Sequence, residues 1–138
     1  MNKAILMFSG GQDSATCLFW ALEKFDVVET IGFNYNQRHS IELEIRTNFI
    51  EFLQKEFPNH FKKIGEDHKI NATNLSEIGD TAMTSDMEIT FSESGLPTTF
   101  VPARNLYFFT LSSAIAYRRN ISTLIGGMCE TDYSGYPD

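Results

Sequence analysis

The 138-residue chain contains little cysteine and little positive charge. Its two cysteines, Cys17 and Cys129, are too few for a disulfide framework and do not complete the four-ligand set of a structural zinc site. The 11 basic residues stand against 18 acidic ones, so the net charge is −7. An acidic chain of this kind lacks the broad positive surface that binds nucleic acids and anionic membranes. The composition therefore predicts no nucleic-acid partner, and the sequence offers no recognisable set of metal ligands.

Long apolar runs are also absent. A membrane-spanning helix needs about 20 consecutive apolar residues, and no run in this sequence approaches that length. Met1, Asn2 and Lys3 lead directly into an apolar segment, which leaves no room for a signal peptide. The chain does have 42% hydrophobic residues, including 12 phenylalanines. These hydrophobic residues are enough for one packed domain over residues 1–138. Without a signal peptide or a membrane span, we expect the protein in the cytoplasm and without membrane contact.

One hexapeptide, SGGQDS at residues 9–14, organises the chain. The apolar residues 4–8 before it predict a short buried strand, and apolar residues recur at helical spacing after it. Its two glycines let the backbone bend sharply and approach a ligand closely. The N–H groups of such a loop and of the first helical turn lack intrahelical partners, and with the positive end of the helix dipole they form an anion site, most naturally for phosphate. Ser9 and Ser14 add hydroxyl donors, and Asp13 is an acceptor suited to Mg²⁺ near the phosphates.

Strands and helices alternate along the rest of the sequence. Strands are predicted over residues 4–8, 27–35, 61–70 and 121–127. After the helix that follows the hexapeptide, a second helix should begin at an N-cap, Ser40, and bury an apolar stripe formed by Ile41, Ile45, Phe49, Phe52 and Leu53. A third helix should run from Pro102 to a left-handed Asn120, buried against the sheet and a neighbour. This alternation predicts an α/β domain in which helices flank a parallel sheet.

Residues 71–99 form the least regular stretch, with a short helix predicted over 75–78 and a long surface loop over 81–97. Parallel sheets bind ligands outside the carboxyl ends of their strands. Three chemically rich segments should emerge at those ends: residues 9–14, 34–39 and 129–138. Their convergence at one edge of the sheet predicts a functional site there.

Several candidate residues have more than one interpretation. Arg38 and His39 suit a clamp for a carboxylate or phosphate, or equally a solvated helix start. Arg104, in the first turn of the apolar helix, suits a substrate contact or an internal ion pair. Glu130 and Asp132 suit Mg²⁺, a purine edge or a solvated loop. The residue types alone leave these alternatives open.

Four blocks of sequence, FSGGQDS, FNYNQRH, TFVPARN and GGMCETDYSGYPD, follow one another along the chain. The first resembles the PP-loop of ATP pyrophosphatases and lacks the Lys-Ser/Thr pair of a Walker loop. In this order, the four blocks resemble the motif series of the 7-cyano-7-deazaguanine synthase family. The resemblance implies an adenine-nucleotide α-hydrolase-like fold. It also implies the ATP-dependent conversion of 7-carboxy-7-deazaguanine and ammonia to 7-cyano-7-deazaguanine (preQ0) in queuosine biosynthesis, through an adenylated intermediate with release of AMP and pyrophosphate.

The resemblance further implies ATP and Mg²⁺ as ligands and assigns residues to them. The nucleotide-binding positions are then Phe8, Ser9, Gly10, Gly11, Gln12, Asp13, Ser14, Ala15, Thr16, Cys17 and Leu18. The catalytic candidates are Asp13, Arg38, His39, Arg104, Glu130 and Asp132. Two other functions fit the same loop: a PP-loop enzyme that adenylates a different carboxylate, and an ATP-binding fragment without turnover.

The sequence departs from the family pattern in three places. Asn36 and Ala103 stand where the family usually has glycine. The chain also ends at Asp138, whereas the family continues with a segment that carries a zinc-binding cysteine cluster. We therefore expect the zinc-binding part to be absent from these residues, and we expect a homodimer or a complementing C-terminal chain as the protein partner.

Overall fold

The computed structural model describes residues 1–34, 39–74 and 104–127, and for residues 39–42 it describes the backbone helix alone. Within these residues, strands and helices alternate as predicted, except that a short helix over Pro58–Phe61, which was not predicted, directly follows the second helix. The elements in chain order are β1 (Lys3–Met7), α1 (Gln12–Lys24), β2 (Val27–Asn34), α2 (His39–Glu56), α3 (Pro58–Phe61), β3 (Ile64–Asn71), α4 (Arg104–Arg118) and β4 (Leu124–Gly126). The helix expected over residues 75–78, the loop over 81–97 and the helix start at Pro102 lie outside the described residues.

The four described strands form one parallel sheet in the order β3-β2-β1-β4. The chain builds outward on one side of β1, through β2 and β3, and then crosses to the other side to add β4. The strand order therefore reverses at β1, and parallel sheets bind ligands outside the carboxyl ends of the strands at such a point. The predicted α/β class, a parallel sheet with flanking helices, is confirmed.

One face of the sheet is covered by α1 and α2. Leu6 and Phe8, which alternate along the end of β1, pack with Leu18 and Leu22 of α1 and with Leu53 of α2. Successive residues of a strand point to opposite faces, so a strand that is covered on both faces is apolar at nearly every position. This explains why β1 is a continuous apolar run.

The other face of the sheet is covered by α4. Ile5 of β1 and Ile31 and Phe33 of β2 pack with Ala116 of the helix. The rings of Phe33 and Phe108 stack with their centroids 4.1 Å apart and their planes 6° from parallel. α4 therefore closes the core on the side opposite α1 and α2.

The structure corrects the predicted form of α2. The helix has already begun one residue before Ser40, so the prediction of an N-cap there is wrong. Of the predicted apolar stripe, Leu53 is buried, but Ile45 and Phe52 are 43% and 49% exposed. The buried line of α2 passes through Arg46 and Leu53, which are nearly two full turns apart. Ile45 and Phe52 lie to one side of that line.

The structure confirms that α4 packs against the sheet, whereas the predicted neighbour on its other side is not found among the described residues. Among the described residues of this helix only Ser112 and Ala116 are buried, and their small side chains allow a close approach to the sheet. Leu106 and Tyr117 are 69% and 84% exposed, because no element among the described residues covers the outer side of α4. No helix in the described ranges, α4 included, is long and apolar enough to cross a membrane.

The connection from α4 to β4 follows the prediction in part. Asn120 has a φ of 56°, the left-handed conformation expected at the end of a helix. β4 begins at Leu124, later than the predicted start at Ile121. Ile121 is nevertheless buried in the core beside α4, so its apolar character serves packing rather than pairing.

A buried carboxylate interrupts the apolar pattern of β2. Glu29 is 2% exposed and accepts two hydrogen bonds from the guanidinium of Arg119, with 2.9 Å from Nε to Oε1 and 2.8 Å from Nη2 to Oε2. His68 Nε2 of β3 lies 2.8 Å from Oε1 of Glu29, and Arg119 also contacts Glu66 at 3.0 Å. Burial by itself would raise the pKa of Glu29, but the hydrogen bonds from Arg119 and His68 outweigh it and hold the pKa below its ordinary value of 4.5. These contacts attach the end of α4 to β2 and β3.

Replacing Glu29 by glutamine should destabilise the fold, because the variant keeps the shape of the side chain but loses the charge that Arg119 and His68 contact. Hydrogen bonds to charged groups are worth about 1.5–3 kcal/mol, so the free energy of unfolding should fall by about 2 kcal/mol. Glu66→Gln is the matched control, since Glu66 is exposed in the same network. Urea unfolding of both variants measures the difference. Equal losses would contradict the described role of Glu29.

The same variant should reveal a pH dependence. Since the pKa of Glu29 is lower in the folded protein than its ordinary value of 4.5, its contribution to stability is present above that value and is lost as the pH falls through the folded pKa. The difference in unfolding free energy between the wild type and Glu29→Gln should therefore be constant near neutral pH and shrink below pH 4.5. Unfolding curves from pH 7 to pH 3 measure it. A difference that grows on acidification would contradict the network.

Candidate functional site

The loop between β1 and α1 is closed by two serine hydroxyls. Gly10 N donates to Ser14 Oγ at 3.1 Å, and Gly11 N donates to Ser9 Oγ at 3.3 Å. Ser14 Oγ in turn donates to the carbonyl of Gly11 at 3.2 Å, and the two hydroxyl oxygens lie 3.1 Å apart. Ser14 is buried, whereas Ser9 and Gly11 are exposed. The hydroxyl of Ser14 therefore holds the turn together from inside.

The two glycines of the loop have different tasks. Gly10 has a φ of +89°, in the region that favours glycine, and a methyl group added to it would lie 2.9 Å from the backbone nitrogen of Arg46 and 3.0 Å from Cγ2 of Ile45. Gly10 thus lets the loop pass directly against α2. Gly11 has a φ of −69°, and a methyl group added there would meet only Ser9 Oγ, at 3.5 Å. Gly11 keeps the solvent side of the loop small.

The loop leads into the amino end of α1. Gly11 is the N-cap and makes no side-chain capping bond, and Asp13 lies in the first turn. The first N–H groups of a helix lack intrahelical partners, and the helix dipole is positive there, so this end of α1 suits an anion. A methyl group added to Gly127, which follows β4, would lie 3.0 Å from the carbonyl oxygen of Asp13 and 3.1 Å from Sγ of Cys17. The end of β4 therefore packs on the first turns of α1, and the loop lies where the strand order reverses.

The predicted nucleotide-binding residues form one continuous structure. Residues 9–11 make the loop, and residues 12–18 make the first two turns of α1. Phe8 and Leu18 are core residues that support this structure from below, since both are buried. The hydroxyl of Thr16 donates to the carbonyl of Gln12 at 2.9 Å, so the contact that Thr16 makes here lies within α1 itself. Asp13 and Gln12 are exposed.

The catalytic candidates lie partly within the described residues. The backbone of His39 is the first residue of α2, directly after the carboxyl end of β2. Arg104 begins α4, and the hydroxyl of Tyr107 one turn later donates to Oδ1 of Asn74, just beyond β3, at 2.9 Å. The starts of α2 and α4 therefore share the carboxyl edge of the sheet with the loop. The predicted site residues Arg38, Glu130 and Asp132 lie outside the described residues.

Arg46 is a buried cation beside the loop, and the sequence motifs did not indicate it. Arg46 is 4% exposed, and Nη2 of its guanidinium pairs with Oδ1 of Asp67 on β3. The hydroxyl of Thr30 on β2 donates to the same carboxylate oxygen at 2.7 Å. The guanidinium lies 5.5 Å from the centroid of the Phe8 ring. A signal was available, because Arg46 precedes the buried Leu53 by seven residues and so lies on the same side of a helix.

The side chains around Glu29 include residue types that can bind a metal ion. Ligand atoms of Glu29, Glu66 and His68 lie within 4.8 Å of one another. Both oxygens of Glu29, however, are bonded to the guanidinium of Arg119. The cation of this cluster is therefore the arginine, and the cluster lies far along β2 from the carboxyl edge. Near the loop, the carboxylate of Asp13 lies in the first turn of α1.

A parallel sheet with a glycine loop and a helix start at its switch point is the arrangement with which one class of α/β proteins binds phosphate groups. The family model described as "Queuosine biosynthesis protein QueC" matches residues 3–138. The chain belongs to the QueC family, and the expected PP-loop type of α/β fold agrees with this membership.

Curated relatives agree with the family. The chain is 57% identical over 137 residues to a 7-cyano-7-deazaguanine synthase of Paracidovorax citrulli. The aligned residues cover 99% of this chain and 58% of that relative. It is 58% identical over 138 residues to the protein of that name from Hyphomonas neptunium, covering 100% of this chain and 58% of the relative. It is 54% identical over 137 residues to the protein of that name from Bordetella pertussis, covering 99% of this chain and 56% of the relative. The chain thus spans a little under three fifths of the length of these relatives.

Alanine at Gly10 should disturb the loop, whereas alanine at Gly11 should be tolerated by the fold. The first variant forces a side chain into a φ of +89° and against the backbone of α2, which should lower the free energy of unfolding by about 1–3 kcal/mol. Gly11 is the matched control, because its φ of −69° is ordinary and its nearest contact would be 3.5 Å away. Thermal or urea unfolding measures both. Equal stabilities of the two variants would contradict the described loop conformation.

Proposed function

We propose that this chain forms the ATP-binding part of a 7-cyano-7-deazaguanine synthase. The proposed reaction converts 7-carboxy-7-deazaguanine and ammonia to 7-cyano-7-deazaguanine as a step in queuosine biosynthesis. A first ATP activates the carboxylate, and ammonia displaces AMP to give the amide. A second ATP-dependent activation, of the amide oxygen, lets that oxygen leave and gives the nitrile, and each ATP is cleaved to AMP and pyrophosphate. The observation that carries the proposal is the glycine loop at the switch point of the sheet. It occurs in a chain 57% identical to a protein of that name.

The loop fits a chain of phosphate groups. Its solvent side presents Gly11 and the amino end of α1, while the buried hydroxyl of Ser14 keeps the turn closed. In this proposal, residues 9–14 hold the phosphates through the backbone N–H groups of the first helical turn, the hydroxyl of Ser9 and the positive end of the helix. Asp13 holds Mg²⁺. The net charge of −7 makes such local geometry necessary, because the surface as a whole repels an anion.

The task of the loop in the proposed reaction is electrostatic. When bound, ATP supplies the adenylyl group that makes a carboxylate oxygen part of a leaving group. The loop binds the β and γ phosphates, orients the α-phosphate toward the carboxylate, and stabilises the negative charge of the departing pyrophosphate. The bonds among Ser9, Gly10, Gly11 and Ser14 take up the N–H groups of Gly10 and Gly11 and fix the shape of the loop. The N–H groups at the start of α1 are thereby held in place for the phosphates, so little reorganisation is needed.

The substrate side of the site belongs to residues at the starts of α2 and α4. We assign Arg38 and His39 to the carboxylate of the substrate, since a guanidinium and an imidazole can both donate to it. Arg104 is assigned to the same ligand, because α4 begins at the carboxyl edge of the sheet. Glu130 and Asp132 follow β4 in sequence and are assigned to Mg²⁺ or to the polar edge of the purine-like ring.

The proposal includes a cytoplasmic location and a protein partner. Leu106 and Tyr117 on the outer side of α4 are strongly exposed, which supports a partner that covers this helix, either a second copy or a complementing chain. We assign no zinc ligands to this chain. In this proposal, zinc belongs to the segment that family members carry beyond these motifs.

Calorimetric titration with Mg-ATP, together with product analysis, tests the proposal. The wild type should bind ATP, and Asp13→Asn should raise the Kd about tenfold through loss of a charged contact. Glu23→Gln is the matched control, an exposed carboxylate at the other end of α1, and should leave the Kd unchanged. Incubation with 7-carboxy-7-deazaguanine and ammonia should give slow turnover, with AMP, pyrophosphate and the nitrile as its products.

Each other product pattern favours a different function. ADP and phosphate would contradict the PP-loop assignment. AMP and pyrophosphate without nitrile, in the presence of another carboxylate, would favour a different adenylating enzyme. ATP binding without any AMP would favour a non-catalytic ATP-binding fragment. Absence of ATP binding would contradict the proposal at its first step.

A further inference from the structure

We propose that Arg46 is a positioning residue for phosphate binding: it fixes the distance between the glycine loop and α2, and the affinity for the phosphates of ATP depends on it although it does not contact them. This inference rests on the proposed nucleotide site. It concerns a residue outside every motif that the sequence singled out, and it follows from three contacts of the same side chain and backbone.

The first contact is an anchor between α2 and the sheet. The guanidinium of Arg46 pairs with Asp67 of β3, and Thr30 of β2 donates to the same carboxylate oxygen. Among the described residues, Nε of Arg46 has no hydrogen-bond partner, so the anchor depends on Asp67. Because the carboxylate already neutralises the guanidinium, this cation is not available to attract a phosphate. Its effect on the ligand must pass through structure.

The second contact joins the same residue to the loop. A methyl group at Gly10 would lie 2.9 Å from the backbone nitrogen and 3.1 Å from Cγ of Arg46. The loop is therefore packed against α2 at the very residue that attaches α2 to the sheet. If the anchor is lost and α2 moves outward, Gly10 loses the surface that holds it at a φ of +89°. The N–H groups at the start of α1, which follows the loop directly, then lose their fixed positions.

The third contact concerns Gly32 of β2. A methyl group added there would lie 2.8 Å from Cζ and 2.9 Å from Nη1 of Arg46. The absence of a side chain at Gly32 thus provides the space that the guanidinium fills. Alanine at this position displaces the guanidinium without removing its charge, which gives an independent way to disturb the anchor.

The anchor also acts on the start of α2. His39 precedes Arg46 by seven residues, which corresponds to about 10 Å along the helix. Both residues belong to one rigid element, α2. A shift of the helix at Arg46 therefore moves the start of α2, where a substrate residue is proposed, together with the loop.

The opposite face of the sheet supplies a matched control. Arg119 also crosses from the end of a helix to a buried carboxylate, Glu29, but it lies on the side of α4 and contacts no residue of the loop in the described structure. Arg46→Met and Arg119→Met each remove a guanidinium from an ion pair between a helix and the sheet, and Arg119 is the more exposed of the two arginines. Both should lower stability, and only the first should affect phosphate binding.

The test compares the Kd for ATP with the Kd for adenosine, which lacks phosphates, by calorimetry on folded protein. Arg46→Met should raise the Kd for ATP about tenfold and leave the Kd for adenosine within about twofold of the wild type. Gly32→Ala should raise the Kd for ATP about threefold or more. Arg46→Lys, which can still reach Asp67, should recover most of the affinity. Arg119→Met should change neither constant.

A purely structural role would lower stability without changing the ratio of the two constants. An unchanged ratio in Arg46→Met therefore overturns the inference, and so does an equal change in Arg119→Met. If Arg46→Met does not fold, Gly32→Ala decides, because it retains the cation: an unchanged ratio overturns the inference, and a raised ratio supports it. A wild type that binds no ATP overturns the proposed function and this inference together. Normal ATP binding with insensitive variants overturns the inference alone.

Discussion

Parallel strands must be covered on both faces, and in this chain each cover is attached by an arginine that crosses from a helix to a carboxylate on the sheet. Arg46 attaches α2 to β3 through Asp67, and Arg119 attaches the end of α4 to β2 through Glu29. Charges in such positions lose hydration, so pairs of this kind seldom add much net stability. Their geometry is strict, however, because an unpaired charge left in the core is costly. The two pairs therefore fix where the helices lie on the sheet, while the apolar core supplies most of the driving force.

The parts of this structure that could be predicted from the sequence are those encoded in contiguous residues. The glycine loop, the strands on either side of α1 and the left-handed Asn120 each follow from a local pattern of residue types. The ion pairs do not, because Glu29 and Arg119 are 90 positions apart and their contact depends on how α4 crosses the sheet. The pairing of β2 with β3 also contains a register shift between Val28 and Thr30, which no composition pattern indicates. Arg46 was within reach, since its helical spacing to Leu53 marks it as a residue on the buried side.

The outer side of α4 illustrates a different limit. An apolar sequence predicts that a helix will be buried, but it does not say what will cover it. Ser112 and Ala116 face the sheet, whereas Leu106 and Tyr117, equally part of the apolar pattern, are exposed. At the candidate site, too, the sequence predicted the element but not the surface that packs against it. Local sequence predicted the loop, yet the surface that holds Gly10 in its unusual conformation comes from α2, more than thirty residues later.

An acidic protein that binds an anionic ligand cannot rely on its overall field. With a net charge of −7, long-range attraction of a nucleotide is unfavourable. The arginines of the two ion pairs do not change this, because Asp67 and Glu29 neutralise them. What remains is a small set of oriented N–H dipoles at one loop and one helix end, whose strength falls off within about one turn of the helix. Interactions of such short range are sensitive to displacement, so in the proposed function the packing of Gly10 on α2 serves phosphate binding as well as folding.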